Sequence, residues 1–533
     1  MNPWRGSRLF ALVVVVVCTL FLGYAAVSPA QSGAKQPAKD VTPSFEATNA
    51  IAIKPPVKEM PPANLTSFYT QKVAWKACKS DAPPRFVCGS VVVPISYAEP
   101  KKFGSLRIMM TKRAATTSSK RLGSLLVNPG GPGGSGIEYA QAGDMIVSAN
   151  VLSRYDLIGF DPRGVGASQP IKCISDKQLD TMLAADATPD TDAELAQFRS
   201  LSKTLGDGCE RKNSKLLPFV DTVSAARDMD IIRAVLGDAQ MNYLGKSYGT
   251  FLGSTYARLF PTRVGRFVLD GVIDPRMDNR ALSKVQAMGF ERAMRRFLAD
   301  CAERTDCPVK RNVNAAYAQL LGIIAKTDTR PMPTNDAGRP LTQALLQTGL
   351  IVGMYDSIYG WEAERNALRG VVDGDGTDML NLVDFFLSRE GGRYKDNSNE
   401  VIGAVNCIDR PDRPNAAATK KYANAWNKQY PMFGAVLAYG LLVCERWPAR
   451  AVGKAAVWSG KTNPILIVGN TYDPATPVEG AKALHAQMKN SRYLEWVGDG
   501  HTAYRQGSSC VDTIVDTFFN SGTLPTKNQV CRS

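Results

Sequence analysis

The sequence predicts an α/β fold: a mostly parallel sheet flanked by helices, with a large helical segment inserted before the last strands. Short apolar segments such as 124–127, 155–160 and 241–244 each lead into a turn that contains glycine. This is the pattern of buried parallel strands that end in loops. Helical periodicity then dominates residues 277–457. A chain of 533 residues that is 44% hydrophobic and 21% charged suits one large globular domain with an insertion, or two domains.

The N-terminal segment predicts export. Arg5 and Arg8 precede an apolar run over residues 9–27, and small residues end at Ala30. Residues 1–30 therefore indicate a signal peptide that is cleaved after Ala30. The run is long for a signal peptide, so an uncleaved membrane anchor is the alternative. In either case we expect a secreted, periplasmic or cell-envelope protein, with membrane contact only through this segment.

Composition predicts the remaining division of the chain. Residues 31–65 are rich in Pro, Ala and Lys and predict a disordered linker. Residues 66–276 and 458–533 then form the two parts of the α/β core, with residues 277–457 as a helical cap between them. The formal net charge is +15, from scattered basic residues without a long run. We therefore expect a solvated basic surface and no nucleic-acid site. The oligomeric state stays open, with a monomer favoured.

Residues 128–136 form a loop with few side chains that follows the strand-like segment 124–127. Its glycines leave backbone N–H groups open to a substrate oxygen, as an oxyanion hole requires. A dinucleotide site is the alternative, because residues 131–136 match G-x-G-x-x-G and Asp161 follows a later strand. Pro132 removes an N–H that a pyrophosphate would need, and Asp161 opens a glycine turn, so this alternative is disfavoured.

Residues 245–249 match G-x-S-x-G, with Ser247 at the centre. They lie between strand-like residues 241–244 and helix-like residues 250–260, which is the context of a nucleophile elbow. Glycines on both sides of the serine allow the strand and the helix to pass closely. The alternative is a serine without function in a tight turn. The pattern predicts Ser247 as a nucleophile and the N–H of Tyr248 as an oxyanion donor.

A serine nucleophile requires a base, and the chain has only two histidines. His485 lies in a segment of helical periodicity and is predicted to lie on a helix surface. His501 lies among glycines, directly after the strand-like residues 493–497. A histidine on a loop after a strand can reach a site at the edge of the sheet, so His501 is the predicted base.

The acid that orients the base is predicted to be Asp473. It follows residues 464–470, an apolar segment typical of a buried strand. The carboxyl ends of such strands carry the functional loops of α/β sheets. Asp499 is the competing carboxylate, but it lies two residues before His501 and is expected to shape that turn.

Residues 373–378 faintly resemble a calcium loop, but they lack the glycine at the sixth place and the glutamate at the twelfth. They are predicted to form a turn between two cap helices. Two histidines cannot build a histidine-rich metal site, and the chain has no C-x-x-C pair. We therefore expect no metal and no cofactor.

Taken in order, these motifs resemble the secreted tripeptidyl-aminopeptidase branch of the α/β-hydrolases, which are relatives of the prolyl aminopeptidases. The resemblance extends over residues 75–531. It is carried by the glycine loop, the elbow and four further segments: 159–168, 268–272, 473–477 and 500–502.

The resemblance implies an α/β-hydrolase fold whose helical cap covers an active site with the triad Ser247, Asp473 and His501. Prolyl aminopeptidases have a histidine at the start of the glycine loop, where this chain has Pro129. Whether Gly130 or Gly131 supplies the oxyanion N–H therefore stays open.

Apart from Cys18 in the apolar run, the chain has an even set of ten cysteines, which in an exported protein suggests disulfides. Spacing does not fix their pairing. Short separations, which favour local closure, and the family resemblance together imply five pairs of sequence neighbours: Cys78–Cys88, Cys173–Cys209, Cys301–Cys307, Cys407–Cys444 and Cys510–Cys531.

Three functions are compatible with these features. The first is a serine exopeptidase that releases short peptides or single residues from the N-termini of peptides. The second is a carboxylesterase or acyl-transfer enzyme that acts on small or cell-envelope esters. The third is a binding protein on an inactive hydrolase scaffold. An aminopeptidase must bind a free ammonium, for which Glu362 and Asp409 are the candidate cap carboxylates.

Overall fold

The computed structural model describes residues 61–78, 82–451, 453, 460 and 462–532. The predicted signal peptide and most of the predicted linker lie outside the described residues. The last part of that linker is helical rather than disordered, because residues Ala63–Leu65 form a 3-10 helix in which Leu65 is buried. The α1 helix follows directly, at Thr66–Tyr69.

Within the described residues, ten strands form one sheet and two more form a hairpin. The strands are β1 (Lys76–Ala77), β2 (Phe86–Pro94), β3 (Ser105–Arg113), β4 (Gly123–Asn128), β5 (Tyr155–Phe160), β6 (Met241–Lys246), β7 (Val264–Asp270), β8 (Arg389–Glu390), β9 (Arg393–Tyr394), β10 (Ile465–Tyr472), β11 (Ser491–Asp499) and β12 (Gln529–Arg532). The sheet order is β1-β2-β3-β5-β4-β6-β7-β10-β11-β12. Pairing is antiparallel from β1 to β5 and parallel from β5 to β12, so the predicted mostly parallel sheet is confirmed.

The helices after α1 are α2 (Gly136–Gln141), α3 (Gly143–Ile146), α4 (Ala149–Leu152), α5 (Asp176–Ala184), α6 (Asp192–Asn213), α7 (Thr222–Val235), α8 (Tyr248–Leu259), α9 (Asn279–Ala302), α10 (Val313–Thr329), α11 (Gln343–Gly353), α12 (Gly360–Asp373), α13 (Thr377–Phe386), α14 (Ser398–Asp409), α15 (Ala416–Asn427), α16 (Gly434–Tyr439), α17 (Val478–Gln487) and α18 (Ser509–Ser521). Short 3-10 turns occur at Ser118–Lys120, Leu217–Phe219, Pro261–Arg263 and Gly440–Cys444.

The central strands are buried on both faces. Every residue of β4 is buried, and its alternating side chains enter two separate cores: Leu126 packs into one, and Leu125 and Val127 into the other. Helices must therefore cover both sides of the sheet, as in other parallel sheets. The carboxyl edge of β4, β6, β10 and β11 is left to carry loops.

The segment between β7 and β10 is almost entirely helical. It contains helices α9 to α16 and the small β8–β9 hairpin, and the turn predicted within residues 373–378 connects α12 to α13 at residues 374–376. An ion pair and a cation–π contact connect this segment to the core, because Arg296 of α9 pairs with Asp499 and lies over the Tyr472 ring at 3.7 Å. Asp499 therefore binds the helical segment, rather than only shaping its own turn as expected.

The structure contains each of the five predicted disulfides. Disulfides of this number form and persist in oxidising compartments outside the cytoplasm. Among the described residues, no helix combines the length and the apolar character that a membrane span requires.

Candidate active site

Ser247 occupies the sharp turn between β6 and α8. Its backbone lies at φ 56° and ψ −126°, a conformation that is uncommon outside glycine. A Cβ on Gly249 would lie 2.8 Å from the carbonyl oxygen of Asn128, so glycine is needed where the helix passes β4. The Ser247 N–H donates to the carbonyl oxygen of Asp270 at 2.9 Å. These contacts fix the serine at the carboxyl end of β6, where it stays partly exposed.

Asp473 and His501 form a buried hydrogen-bonded pair. The Nδ1 atom of His501 lies 2.9 and 3.0 Å from the two carboxylate oxygens of Asp473, and the two side chains are 1% and 0% exposed. Asp473 also accepts the N–H groups of Ala475, Thr476 and Thr502 at 2.8–3.0 Å. These donors compensate for removing a negative charge from water.

The helical segment between β7 and β10 contacts the other side of the histidine. The His501 N–H donates to the carbonyl oxygen of Tyr355 at 2.8 Å, and the Tyr355 ring meets the imidazole edge-on at 5.2 Å. Nε2, the ring nitrogen that does not face Asp473, is buried without a hydrogen-bond partner in the described part of the chain. The imidazole is thus held in place through Nδ1, its own backbone and the Tyr355 ring.

The structure brings the three predicted residues to one edge of the sheet. Ser247, Asp473 and His501 follow β6, β10 and β11, whose carboxyl ends point the same way. His485 does not belong to this group: it lies on α17, where its Nδ1 contacts Ser491 at 2.8 Å. Burial lowers its pKa, and Arg492 lowers it further.

The glycine loop lies directly against the serine. A Cβ on Gly130, whose φ is +100°, would stand 2.9 Å from both Ser247 Cβ and the Tyr248 nitrogen. The Gly130 N–H is already used, because it donates to Asn128 Oδ1 at 3.0 Å. Gly131 is therefore the better candidate of the two glycines for binding an external oxygen, together with the N–H of Tyr248.

Asp161 stabilises this loop through hydrogen bonds that its carboxylate accepts within the chain. Its carboxylate accepts the Ser135 hydroxyl at 2.6 Å and the N–H groups of Ile137 and Ala167 at 3.2 and 2.8 Å. Both carboxylate oxygens are thereby occupied by the chain itself. The dinucleotide interpretation of residues 131–136 is not supported.

We expect Gly130→Ala to lower kcat by about 10²-fold or more, because the new methyl group displaces the oxyanion loop from the serine. Gly104→Ala is the matched control: its φ is +82°, but no atom lies within 4 Å of the added Cβ. It should cost roughly 1–2 kcal/mol of stability and leave kcat unchanged. Steady-state kinetics and thermal melts check both, and an active Gly130→Ala variant would contradict the placement of the loop.

Asp409 is linked through Thr222 to the phenol of Tyr248, the residue after the nucleophile. Its carboxylate accepts the N–H and the hydroxyl of Thr222 at 3.0 and 2.5 Å, and the same hydroxyl accepts the phenol of Tyr248 at 2.5 Å. Burial, reinforced by the neighbouring Asp221, raises the pKa of Asp409 to about 7, although the Thr222 bonds and Arg410 oppose the shift. The residue keeps a partly exposed surface, although protein surrounds its carboxylate.

Glu362, the other predicted ammonium ligand, does not share this position. It is exposed near the start of α12, and its charge acts on Arg304 and Arg365. Glu364 lies two residues further along α12, and its burial was not predicted from the sequence. It is 0% exposed, and neither of its carboxyl oxygens has a hydrogen-bond partner among the described residues.

Burial raises the pKa of Glu364 well above its usual value, so the folded protein retains a proton that the unfolded chain loses near pH 4.3 (an approximate value for unfolded chains). The stability that this proton provides is complete below that pH and is lost as pH rises towards the folded pKa. The loss is at most about 1.4 kcal/mol per pH unit.

We therefore expect Glu364→Met to stabilise the protein near pH 8 by about 1–3 kcal/mol and to flatten the decline of stability with pH. Glu362→Met, two residues away and exposed, is the control and should change neither quantity. Urea denaturation between pH 5 and pH 8 measures both, and equal pH slopes in Glu364→Met and wild type would refute the buried neutral acid.

Comparison with known proteins supports the interpretation of the fold and identifies the family. A family model described as the alpha/beta hydrolase fold matches residues 123–343, and one described as TAP-like protein matches residues 430–531. The chain is 35% identical over 482 residues to the serine protease Hip1 of Mycobacterium tuberculosis, covering 86% of this chain and 91% of the relative. It is 31% identical over 470 residues to the tripeptidyl aminopeptidase of Streptomyces lividans, covering 86% of each. It is also 33% identical over 463 residues to carboxylesterase B of M. tuberculosis, covering 83% of this chain and 86% of that protein.

Proposed function

This chain belongs to the TAP-like family of α/β-hydrolases, and we propose that within it the protein is a serine exopeptidase. It would release short peptides or single residues from the N-termini of peptides. The hydrolase class follows from the family. The peptidase choice is carried by one observation, the carboxyl of Asp409 two hydrogen bonds away from the Tyr248 side chain.

The proposed chemistry uses Ser247, His501 and Asp473 as a catalytic triad. Nε2 of His501 takes the hydroxyl proton of Ser247 while the serine oxygen bonds to the scissile carbonyl carbon. The carbonyl oxygen becomes an oxyanion, held by the N–H groups of Gly131 and Tyr248. The intermediate collapses, the C–N bond breaks, and His501 returns its proton to the departing amine. Water, activated by the same imidazole, then hydrolyses the acyl-enzyme.

Asp473 orients this imidazole. Because its two oxygens face Nδ1, they favour the tautomer that carries the proton there and leaves Nε2 as the acceptor. The same carboxylate stabilises the imidazolium that forms when the serine loses its proton.

The proposed ammonium site is Asp409. An aminopeptidase must hold the charged N-terminus of its substrate at a fixed distance from the nucleophile, and a carboxylate in a site of restricted solvent access does this best. Asp409 has no ion pair within 4.0 Å among the described residues, since Arg410 donates instead to Asn406 and to the Met277 carbonyl. The carboxylate therefore has electrostatic capacity for one external cation.

A carboxylesterase is the alternative function, favoured by the likeness to carboxylesterase B. An ester substrate carries no ammonium and would leave Asp409 without a role in binding. The triad and the oxyanion donors would act identically in both cases, so they do not distinguish the two functions.

A substrate panel tests the choice. Chromogenic peptides with a free N-terminus, the same peptides after N-acetylation and short-chain esters are compared at equal enzyme concentration. If the protein is an exopeptidase, it should cleave the peptides with a free N-terminus and cleave the N-acetylated peptides only slowly. Equal rates on both peptide sets, with faster turnover of esters, support the esterase. A fluorophosphonate probe that fails to label the protein supports an inactive scaffold.

We also propose that the protein acts outside the cytoplasm, as a secreted or cell-envelope enzyme on short peptides. The five disulfides support this location. A helical segment above the site would exclude folded proteins from internal cleavage.

A further inference from the structure

A second buried pair lies beneath the site, beside the residues that carry the chemistry. Lys246, the residue before the nucleophile, is 1% exposed, which is rare for a lysine. Its ammonium donates to the Tyr504 carbonyl oxygen at 2.6 Å and to Thr502 Oγ1 at 3.3 Å. It also lies 3.7 Å from Asp270 Oδ2. These contacts join the elbow to residues 500–505, the loop after β11 that carries His501 (the histidine loop), and to β7, which lies next to β6 in the sheet.

Asp270 makes the complementary connections. Its carboxylate accepts the N–H groups of Ala503 and Tyr504 at 2.9 and 3.0 Å, while its backbone oxygen accepts the N–H of Ser247. One residue therefore holds the nucleophile by its main chain and the loop of the base by its side chain.

The histidine loop needs such support because its backbone is strained. Thr502 and Arg505 have φ values of 69° and 64°, in a region that residues with a side chain avoid at a cost of about 1–2 kcal/mol each. Such conformations persist only where surrounding contacts determine them. Of the strained residues, Thr502 contacts Lys246 through its hydroxyl, and Ser247, at φ 56°, donates its N–H to the Asp270 carbonyl oxygen.

We propose that Lys246 and Asp270 are positioning residues that set the relative placement of Ser247 and His501. The inference rests on the proposed triad. Burial lowers the pKa of the Lys246 ammonium and raises that of the Asp270 carboxyl, but each charge opposes the shift of the other. The pair is thus held as a unit, and removing one charge disturbs both segments.

The test is Lys246→Met, which keeps the apolar stem and removes the ammonium with its bonds to the histidine loop. We expect kcat to fall by about 10–100-fold with KM changed by less than about threefold, because displacement of reacting groups by 1 Å has effects of this size. The rate of Ser247 labelling by a fluorophosphonate, measured per folded molecule, should fall by the same factor.

Arg233→Met is the control for a purely structural role. Arg233 is also buried in an ion pair, with Asp230 at 2.8 Å, but it lies in the last turn of α7. The Arg233→Met substitution should lower the melting temperature but leave kcat and the rate of Ser247 labelling unchanged. If Lys246→Met does not fold, Asp270→Asn, which keeps the shape of the side chain, is measured in its place with the same expectation.

The outcomes separate the two proposals. A wild-type protein that is not labelled at Ser247 overturns the triad itself. A labelled wild type with a folded Lys246→Met variant of unchanged kcat and labelling rate overturns the positioning role alone.

Discussion

Ser247→Ala and His501→Ala are each expected to lower turnover by about 10⁶-fold, the loss seen when a serine triad loses its nucleophile or its base. The serine change removes the hydroxyl oxygen that forms the acyl-enzyme in the proposed mechanism. The histidine change removes Nε2, which is buried and has no hydrogen-bond partner within residues 61–532 as far as the structure describes them, and with it the proposed acceptor for the serine proton. Hydrolysis of the best substrate from the panel, with burst-phase detection of the acyl-enzyme, measures both losses.

His485→Ala is the control for the histidine change, because it removes the other imidazole of the chain. That residue contacts Ser491 and Asn528, and its loss should leave kcat within about twofold, as surface changes usually do.

Asp473→Asn is expected to lower kcat by about 10⁴-fold, a loss between those of the two histidine variants, because the amide favours the wrong tautomer of His501. Substantial activity in Ser247→Ala or His501→Ala would show that another residue is the nucleophile or the base.

The sequence could predict these three positions because their signals are local. Each residue directly follows an apolar segment, and a parallel sheet brings the carboxyl ends of such segments to one edge. The parallel pairing of β6, β7, β10 and β11 then brings the three residues to the same edge, so no long-range contact has to be predicted. The disulfides could be predicted for a related reason, since short loops close at low entropic cost.

The sequence named Asp409 and Glu362 as candidate ammonium ligands but could not choose between them. Asp409 meets Thr222 across 187 positions of sequence, and helical periodicity alone does not show which distant helix faces which. The prediction of Glu362 as an ammonium ligand placed it correctly in a helix but not on a face. Glu362 lies on the exposed side of α12, whereas Glu364 lies on the buried side. Residues two positions apart lie on nearly opposite faces of a helix, and Glu364 shares the buried face with Trp361 and Leu368. The amphipathic pattern of this helix could therefore have indicated that Glu364 is buried and Glu362 exposed.

Asp409→Asn is expected to lower kcat/KM for free-amine peptides by about 30-fold or more, the low end of the cost of breaking a buried charge pair. The asparagine keeps an oxygen that can accept from Thr222, so the loss reports the missing charge. N-acetylated peptides and esters carry no ammonium and should lose less than about threefold. Glu362→Gln, which neutralises an exposed carboxylate, should leave all three substrate classes unaffected.

The pH dependence gives an independent test of the same site. Asp409 has a pKa of about 7 in the free protein, and only its ionised form attracts an ammonium, whereas a substrate α-amine loses its proton near pH 8 (an approximate value). The ratio of kcat/KM for free and acetylated peptides cancels the titration of the base, which both substrates need. This ratio should therefore rise as pH increases through about 7, fall again above about 8, and become flat in Asp409→Asn. A bell-shaped ratio that survives in Asp409→Asn would assign the ammonium to another carboxylate, and a flat ratio in the wild type would favour the esterase.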